Sequence, residues 1–478
     1  MTSLFEWPAF FTMILISAVT LTSGITPTKS ACAGVTQVGV AKVDITPTRP
    51  VILAGYGGRQ GGHEGVDAPI WARAMAIGDD EPMVVVAVDN CGVPAPVVEK
   101  VASRVAADTN VPRPHIVVCA THTHTAPSLT DNLVVVWGEL ATDEQLADAA
   151  EYTRWLTEKL VEVAIAAIQN RRPARLAFGQ GVVAFGGNRR AVEDGVYRGF
   201  GFQRDGPVDH SLPVMVATDE AGKTIAIWTN YACHCTTLGP RNRIGGDWAG
   251  FANELIEERL PFAIALTTIG CGADIKPEPE GTLEVARNHG KAIADEIQRL
   301  LDSDLFPITT APQANMVHIQ LPLAEIPGKE HWESQLDNHP FHSFHAKLML
   351  ERIAQDGGLS PHVNYPITTW TFGDQLAIVF LAGEVVVDYA VRLKHELDWQ
   401  RLWINGWSND VPSYIPSKRI LAEGGYEADF SQIYYGWPSR YDPGLEDMIV
   451  TQVKKMVGTE FTPHKTGPKF PLAKRRDN

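Results

Sequence analysis

His115-Ile116-Val117-Val118-Cys119-Ala120-Thr121-His122-Thr123-His124-Thr125-Ala126-Pro127-Ser128 is an apolar, β-branched run that empties into two histidines and a proline turn. A run this short, bounded by turn residues, predicts a buried strand. If the backbone stays extended beyond it, His122 and His124 project from one face, because side chains alternate with period two. Two imidazoles at a strand end can hold a metal or form an acid/base pair. They can equally be hydrogen-bonded residues of an ordinary turn, and the stretch alone leaves these readings open.

Upstream, residues 83–89 read as a strand and 97–108 as a helix. Strand, helix, strand in that order predicts a crossover with parallel strands. The histidines then lie at the carboxyl end of a strand, where ligand sites of α/β folds sit. Further strands are expected over 39–45, 70–77, 175–185, 212–218, 224–231, 262–268, 313–323, 365–372 and 375–382, with helices over 143–170, 248–260, 283–301, 341–355 and 385–397. Asp247 is the expected N-cap of the 248–260 helix. The fold class that follows is α/β, a mixed β-sheet core with surrounding helices in a single large catalytic domain, residues 34–462. Gly55-Tyr56-Gly57-Gly58-Arg59-Gln60-Gly61-Gly62-His63 lacks the G-K-[ST] ending of a phosphate loop. It is either a surface loop or a pocket wall where backbone must approach a ligand.

The chain has 478 residues, 45% hydrophobic and 20% charged, within the ordinary globular range. Its net charge of −15 argues against nucleic acid as a partner, since phosphate binding needs concentrated Lys and Arg. Residues 1–33 read as a signal peptide, an apolar core followed by Ala31-Cys32-Ala33, so export to the periplasm or medium is expected. No later run is apolar enough for a membrane helix. Of six cysteines, export would leave five, which predicts buried thiols or one disulfide rather than a full framework. His339, His342 and His345 have helical spacing that could bind a metal, but an exposed helix face is the reading preferred. The tail, 463–478, is basic and expected to be loose.

Three metal-competent residues share one context, the end of an apolar strand: His122, His234 and Glu384. Two histidines and a carboxylate form a common catalytic zinc set. The chain also resembles the N-terminal catalytic domain of the neutral/alkaline non-lysosomal ceramidase family. Thr121-His122-Thr123-His124 with Pro127 resembles that family's T-H-T-H-S-G-P, Asn188-Arg189 its N-R element, and Gly383-Glu384 its G-E element. Asn409-Asp410 with Tyr414, then Tyr426-Glu427, resembles its N-D-x-x-x-Y and Y-E-G pair. The resemblance implies Zn²⁺ held by His122, His234, Glu384 and Tyr414, with His124 as acid/base and Arg189 and Tyr426 against the substrate and oxyanion. Asn188, Asp274 and Lys276 would face the substrate, a small or lipid-like molecule. Lys276 stands where the family has a serine, and the chain ends short of the family's immunoglobulin-like domain, so a shortened relative is expected. The expected function is an exported zinc-dependent amidohydrolase acting on an N-acyl bond. Alternatives are a zinc hydrolase of an ester or glycoside in a polar substrate, or a non-catalytic surface- or carbohydrate-binding protein.

Overall fold

The apolar runs are too long and too uniformly buried to alternate inside and outside. Met83–Val88 and Ile116–Ala120 are buried at every position, which requires cover on both faces of their sheet. The structure, a computed structural model, describes residues 34–463 with residue 60 excepted. The segment 1–33, expected to be a signal peptide, and the tail beyond residue 463 lie outside the described residues.

Among the described residues, the principal sheet is nine-stranded. Its order runs Ile264–Ile269, Thr224–Tyr231, Ser211–Asp219, Arg172–Val182, Val35–Asp44, Trp71–Ile77, Met83–Val88 and Ile116–Ala120, with Phe306–Ile308 pairing off Arg172–Val182. The two ends of the sheet are parallel pairs, Thr224–Tyr231 with Ile264–Ile269 and Met83–Val88 with Ile116–Ala120, and the centre is antiparallel. The expected crossover is present: the helix Ala95–Thr109 joins Met83–Val88 to its parallel neighbour. Pro96 suits the first turn of that helix, and Asn110 ends it in the left-handed region (φ 60°).

A second sheet has the order Gln313–Pro322, His362–Phe372, Leu376–Leu381, Leu402–Asn405. The two sheets pack face to face. Met83, Val85, Ala87 and Trp228 of the first sheet share one core with Trp370, Ile378, Phe380 and Trp403 of the second. The alternate positions Val84, Val86 and Val88 turn the other way, towards Val97, Val98, Val101, Leu156 and Leu160 on helices. Ala377, Val379 and Leu381 do the same on the far side, with Tyr389, Leu393 and Ile449. The result is four layers: helices, sheet, sheet, helices. Burial of each large apolar side chain contributes on the order of 1.5–3 kcal/mol.

Several local expectations are corrected. Gly246, not Asp247, is the N-cap of the helix Asp247–Arg259. Asp247 is its first residue, with a left-handed backbone (φ 51°), and its carboxylate accepts Trp248 N and Leu238 N instead. The five described cysteines are all buried free thiols, one of the two outcomes expected, and no disulfide forms among them. His345 is buried rather than on an exposed face.

Candidate active site

The carboxyl ends of strands from both sheets meet at one place, and backbone bonds tie their loops together. Ala120 N donates to Trp407 O, Trp407 N to Gly383 O, Gly406 N to Ile269 O, and His234 N to Ile275 O. Thr123 bridges Cys235 in parallel register. His122 follows Ile116–Ala120, His234 follows Thr224–Tyr231, and Glu384 follows Leu376–Leu381. Tyr414 is the direct ladder partner of Glu384.

His122 and His124 do not share a face by extension. His122 sits in the left-handed region (φ 56°), which turns the chain sharply after the strand. The rings meet all the same, edge to face at 4.5 Å, with their Nε2 atoms 2.9 Å apart. Trp407 stacks on the other side of His122 at 4.5 Å.

The hydrogen bonds fix the ring tautomers. His122 Nδ1 is 2.5 Å from Cys91 O and His234 Nδ1 is 2.8 Å from Gly272 O. A backbone carbonyl can only accept, so each Nδ1 carries hydrogen, and either ring, when neutral, presents Nε2 as a lone pair. Both Nε2 atoms face Glu384 Oε2, at 3.3 and 3.4 Å. Neither contact is aligned as a hydrogen bond, so buried Oε2 has no donor. The other oxygen, Oε1, accepts Tyr435 Oη at 2.5 Å. Tyr435 is a member of the site that the sequence reading missed.

Three ligating atoms thus converge, and Glu384 Oε2 among them is buried without a donor, an arrangement that favours positive charge at this point. The protonation preferences place a positive charge at the same point, on His122. Burial opposes ionisation of Glu384, but the facing imidazoles His122 and His234 hold its carboxyl well below the usual range. Burial also pulls His122 down, yet Cys91 and Glu384 outweigh it and push the ring up to about 10. His234 is pulled down to about 3 by burial and by Arg189 and His122. His124 is held well below its ordinary value by burial and the neighbouring His122 and His234, so it is neutral. The ligating atoms of His122, His234 and Glu384 all lie within 4.8 Å of one another, as do those of Cys91, His122 and His124.

Arg189 is buried beside this cluster. Its Nη1 lies 3.1 Å from His234 Nε2, its Nη2 donates to Tyr414 Oη at 3.1 Å, and its Nε donates to Glu427 Oε1 at 3.1 Å. Burial would lower its pKa, but Tyr414 and Glu427 raise it, so the charge is permanent. Glu427, fully buried, also takes Arg190 Nη1; its role as anchor of both arginines was not anticipated. Tyr426 packs edge-on against Tyr414 at 5.3 Å and against Phe200 at 4.9 Å.

Asn188 and Asp274 lie behind Arg189. Asn188 Nδ2 donates to Asp274 Oδ2 at 3.0 Å, Asp274 Oδ1 accepts Val387 N at 2.8 Å, and Asp274 O accepts Arg189 N at 2.8 Å. Lys276 pairs with Glu280 at 3.2 Å and Glu278 at 3.6 Å on the strand Ile275–Pro277. The glycine-rich loop is a wall of the site. Gly55 (φ 92°) comes so close to His124 that a Cβ there would lie 2.4 Å from the ring. Tyr56 packs on the same imidazole at 5.1 Å and lines a cavity of about 380 Å³ with Arg59 and Asn242.

Residues 36–265 match the family described as neutral/alkaline non-lysosomal ceramidase, N-terminal. No curated protein sequence matches the chain. Two solved structures share its fold. One is described as the crystal structure analysis of neutral ceramidase from Pseudomonas aeruginosa, with TM-score 0.68 and 17% identity over 90% of this chain and 76% of that one. The other is described as ceramidase complexed with C2, with TM-score 0.67 and 17% identity over 90% and 77%. At that identity the structures speak for the fold, and the family match spans residues 36–265, a little under half of the chain.

Proposed function

We propose that the chain is an exported, zinc-dependent amidohydrolase that cleaves an N-acyl bond. The observation that carries this is the convergence of His122 Nε2, His234 Nε2 and Glu384 Oε2 within 4.8 Å of one another, with buried Oε2 lacking a donor. That donor set, with the Tyr414 hydroxyl from the adjoining strand, fits Zn²⁺. When bound, zinc lowers the pKa of water and polarises a carbonyl.

The chain's own residues supply the rest. His124 is neutral with Nε2 beside the convergence point; with His122 Nε2 serving as a ligand, the His124 tautomer that carries hydrogen on Nδ1 can take a proton at Nε2 and pass it to the departing nitrogen. Arg189 Nη1 is freed for the substrate oxygen when His234 Nε2 serves as a ligand, and its fixed charge with Tyr426 stabilises a developing oxyanion. Asn188 and Asp274 hold Arg189 in place rather than meeting substrate themselves, while Lys276 borders the same strand pair. Phe200 and Phe202, 60% and 52% exposed, lie beside Tyr426 and Gly187 and suit an apolar acyl chain.

The test is metal analysis of the purified protein together with hydrolysis of N-acyl sphingosines and of short N-acyl amides. Zinc near one per chain and chelator-sensitive amide cleavage are expected. A metal-free active protein would refute the zinc assignment, and zinc-loaded protein inert on every N-acyl substrate but active on esters would refute the amide assignment.

A further inference from the structure

The glycine-rich loop holds a cation that the proposed chemistry does not use. Arg59 is half-buried and lines the cavity of about 380 Å³ that Tyr56, Glu64 and Asn242 also bound. That volume is at the lower end of ligand pockets. Phe200, Phe202 and Tyr426 do not line it, so it is separate from the surface proposed for the acyl chain. Tyr56 is the wall it shares with the centre, since the same ring packs on His124 at 5.1 Å.

The guanidinium is fixed but not neutralised. Nε donates to Pro240 O at 3.3 Å, Nη1 to Ala54 O at 2.7 Å and Nη2 to Arg241 O at 2.9 Å. All three acceptors are backbone carbonyls, which hold the fork in place and carry no net charge. A loop staple needs no more than these bonds, and a neutral donor would serve them. Each terminal nitrogen of a guanidinium has a second N–H, and among the described residues neither has an acceptor. The Asp67 carboxylate is taken by Arg241 and Arg243. Glu64, exposed on the cavity wall, makes no ion pair with Arg59. Burial pulls the Arg59 pKa down to about 10, with Tyr56 and Cys91 opposing, so the group stays charged at neutral pH.

A partly desolvated charge without a counter-ion costs free energy, and an anionic ligand offsets that cost. The uncommitted N–H groups sit on both terminal nitrogens of one planar fork, which matches the paired oxygens of a carboxylate. Position decides where on the substrate that carboxylate belongs. The guanidinium carbon lies 5.0 Å from the Tyr56 ring centre, and that ring centre lies 5.1 Å from the His124 ring centre. Guanidinium and imidazole are therefore separated by no more than these distances laid end to end. His124 serves the departing nitrogen in the proposed reaction, so Arg59 stands on the side of the amine part. With that nitrogen about 3 Å from His124 Nε2 and a carboxylate carbon about 2.5 Å beyond it, as in an α-amino acid, the carboxylate comes within reach of the fork.

We infer that Arg59 is a specificity residue that takes a carboxylate on the amine part of the substrate, which makes the amides cleaved N-acyl amino acids. The inference rests on the amidohydrolase reading, and the test separates the two. The zinc-supplemented full chain is given N-octanoylglycine and N-octanoylethanolamine, which differ only in carboxylate against hydroxymethyl, and kcat/KM is compared. A preference of roughly tenfold or more for the glycine conjugate is expected, and it should collapse in Arg59→Gln, which keeps donors for the carbonyls and loses the charge. Equal cleavage of the two by the wild type, a preference for the ethanolamine conjugate, or an undiminished glycine preference in a folded Arg59→Gln overturns the inference. If neither amide is cleaved, the amidohydrolase reading fails, and calorimetric titration with the same two compounds decides the site. Roughly tenfold tighter binding of N-octanoylglycine, lost in Arg59→Gln, then supports it; equal binding, or no binding of either, overturns it. If Arg59→Gln does not fold, hydrogen exchange of the wild type takes its place. Protection of residues 55–59 by N-octanoylglycine beyond that given by N-octanoylethanolamine supports the site, and equal protection overturns it.

Discussion

Tyr435→Phe isolates the one hydrogen bond that orients the carboxylate of the centre. Tyr435 Oη donates to Glu384 Oε1 at 2.5 Å, and Glu384 is 4% exposed with its other oxygen lacking a donor. Removing the hydroxyl keeps the ring and strips the buried carboxylate of its aligned donor. A hydrogen bond to a charged group contributes about 1.5–3 kcal/mol. That converts to a loss of roughly 10- to 150-fold in affinity for zinc, in line with the roughly 10- to 100-fold typical of residues that orient metal ligands. The assay is competition for Zn²⁺ against a chromophoric chelator at fixed pH and ionic strength, with circular dichroism to confirm the fold. Zinc affinity within threefold of the wild type, in a folded variant, would show that Tyr435 does not orient a ligand and that Glu384 is not one.

His124→Gln should retain zinc while N-acyl hydrolysis falls by about 10²–10⁴-fold, the usual contribution of a general acid/base; loss of bound metal would instead make His124 a ligand. Gly55→Ala places a Cβ 2.4 Å from the His124 ring at a φ of +92°. It should destabilise the fold by about 1–3 kcal/mol in urea melts and depress activity further, and an unchanged melt would remove the loop from the site wall. Asp410 is pushed up to about 6 by burial, although it accepts Ala95 N and Val411 N. Its unfolded value is about 3.9, so between these the folded state keeps a proton that the unfolded chain has released. The stability it contributes is present below about pH 4 and lost as pH rises to about 6. Asp410→Asn should therefore gain on the wild type in urea midpoint across that interval, and parallel curves would contradict this.

The sequence exposed the strands because they are buried on both faces and so read as unbroken apolar runs, Met83–Val88 and Leu376–Leu381 among them. The same property hid the layering. A run with no polar face does not say which sheet it joins, and the division into two stacked sheets emerged only from the contacts of Trp228 with Trp403 and Phe380. His122, His234 and Glu384 were readable because each ends such a run. Tyr435 was not, since it is one aromatic residue in a turn-rich stretch and its partner is fifty-one positions away. Glu427 stood in a motif that pointed to Tyr426, and nothing local marked its carboxylate as the anchor of Arg189 and Arg190. Lys276 looked like a pocket cation, yet its partners Glu278 and Glu280 are two and four residues on, a local pairing that spacing alone could have raised.

The scatter of the site along the chain sets a schedule on its own assembly. His122 and His234 are synthesised first, and Glu384 and Tyr414 join them only after the second sheet has been made and has docked on the first. Until then the two imidazoles have no carboxylate to balance a divalent ion and no loop at Trp407 to hold His122 in its turn. A nascent or truncated chain can thus fold much of its first sheet and still lack the full set. Tight retention of a cation would in that case report completion of the whole body, serving as a built-in signature of a finished molecule.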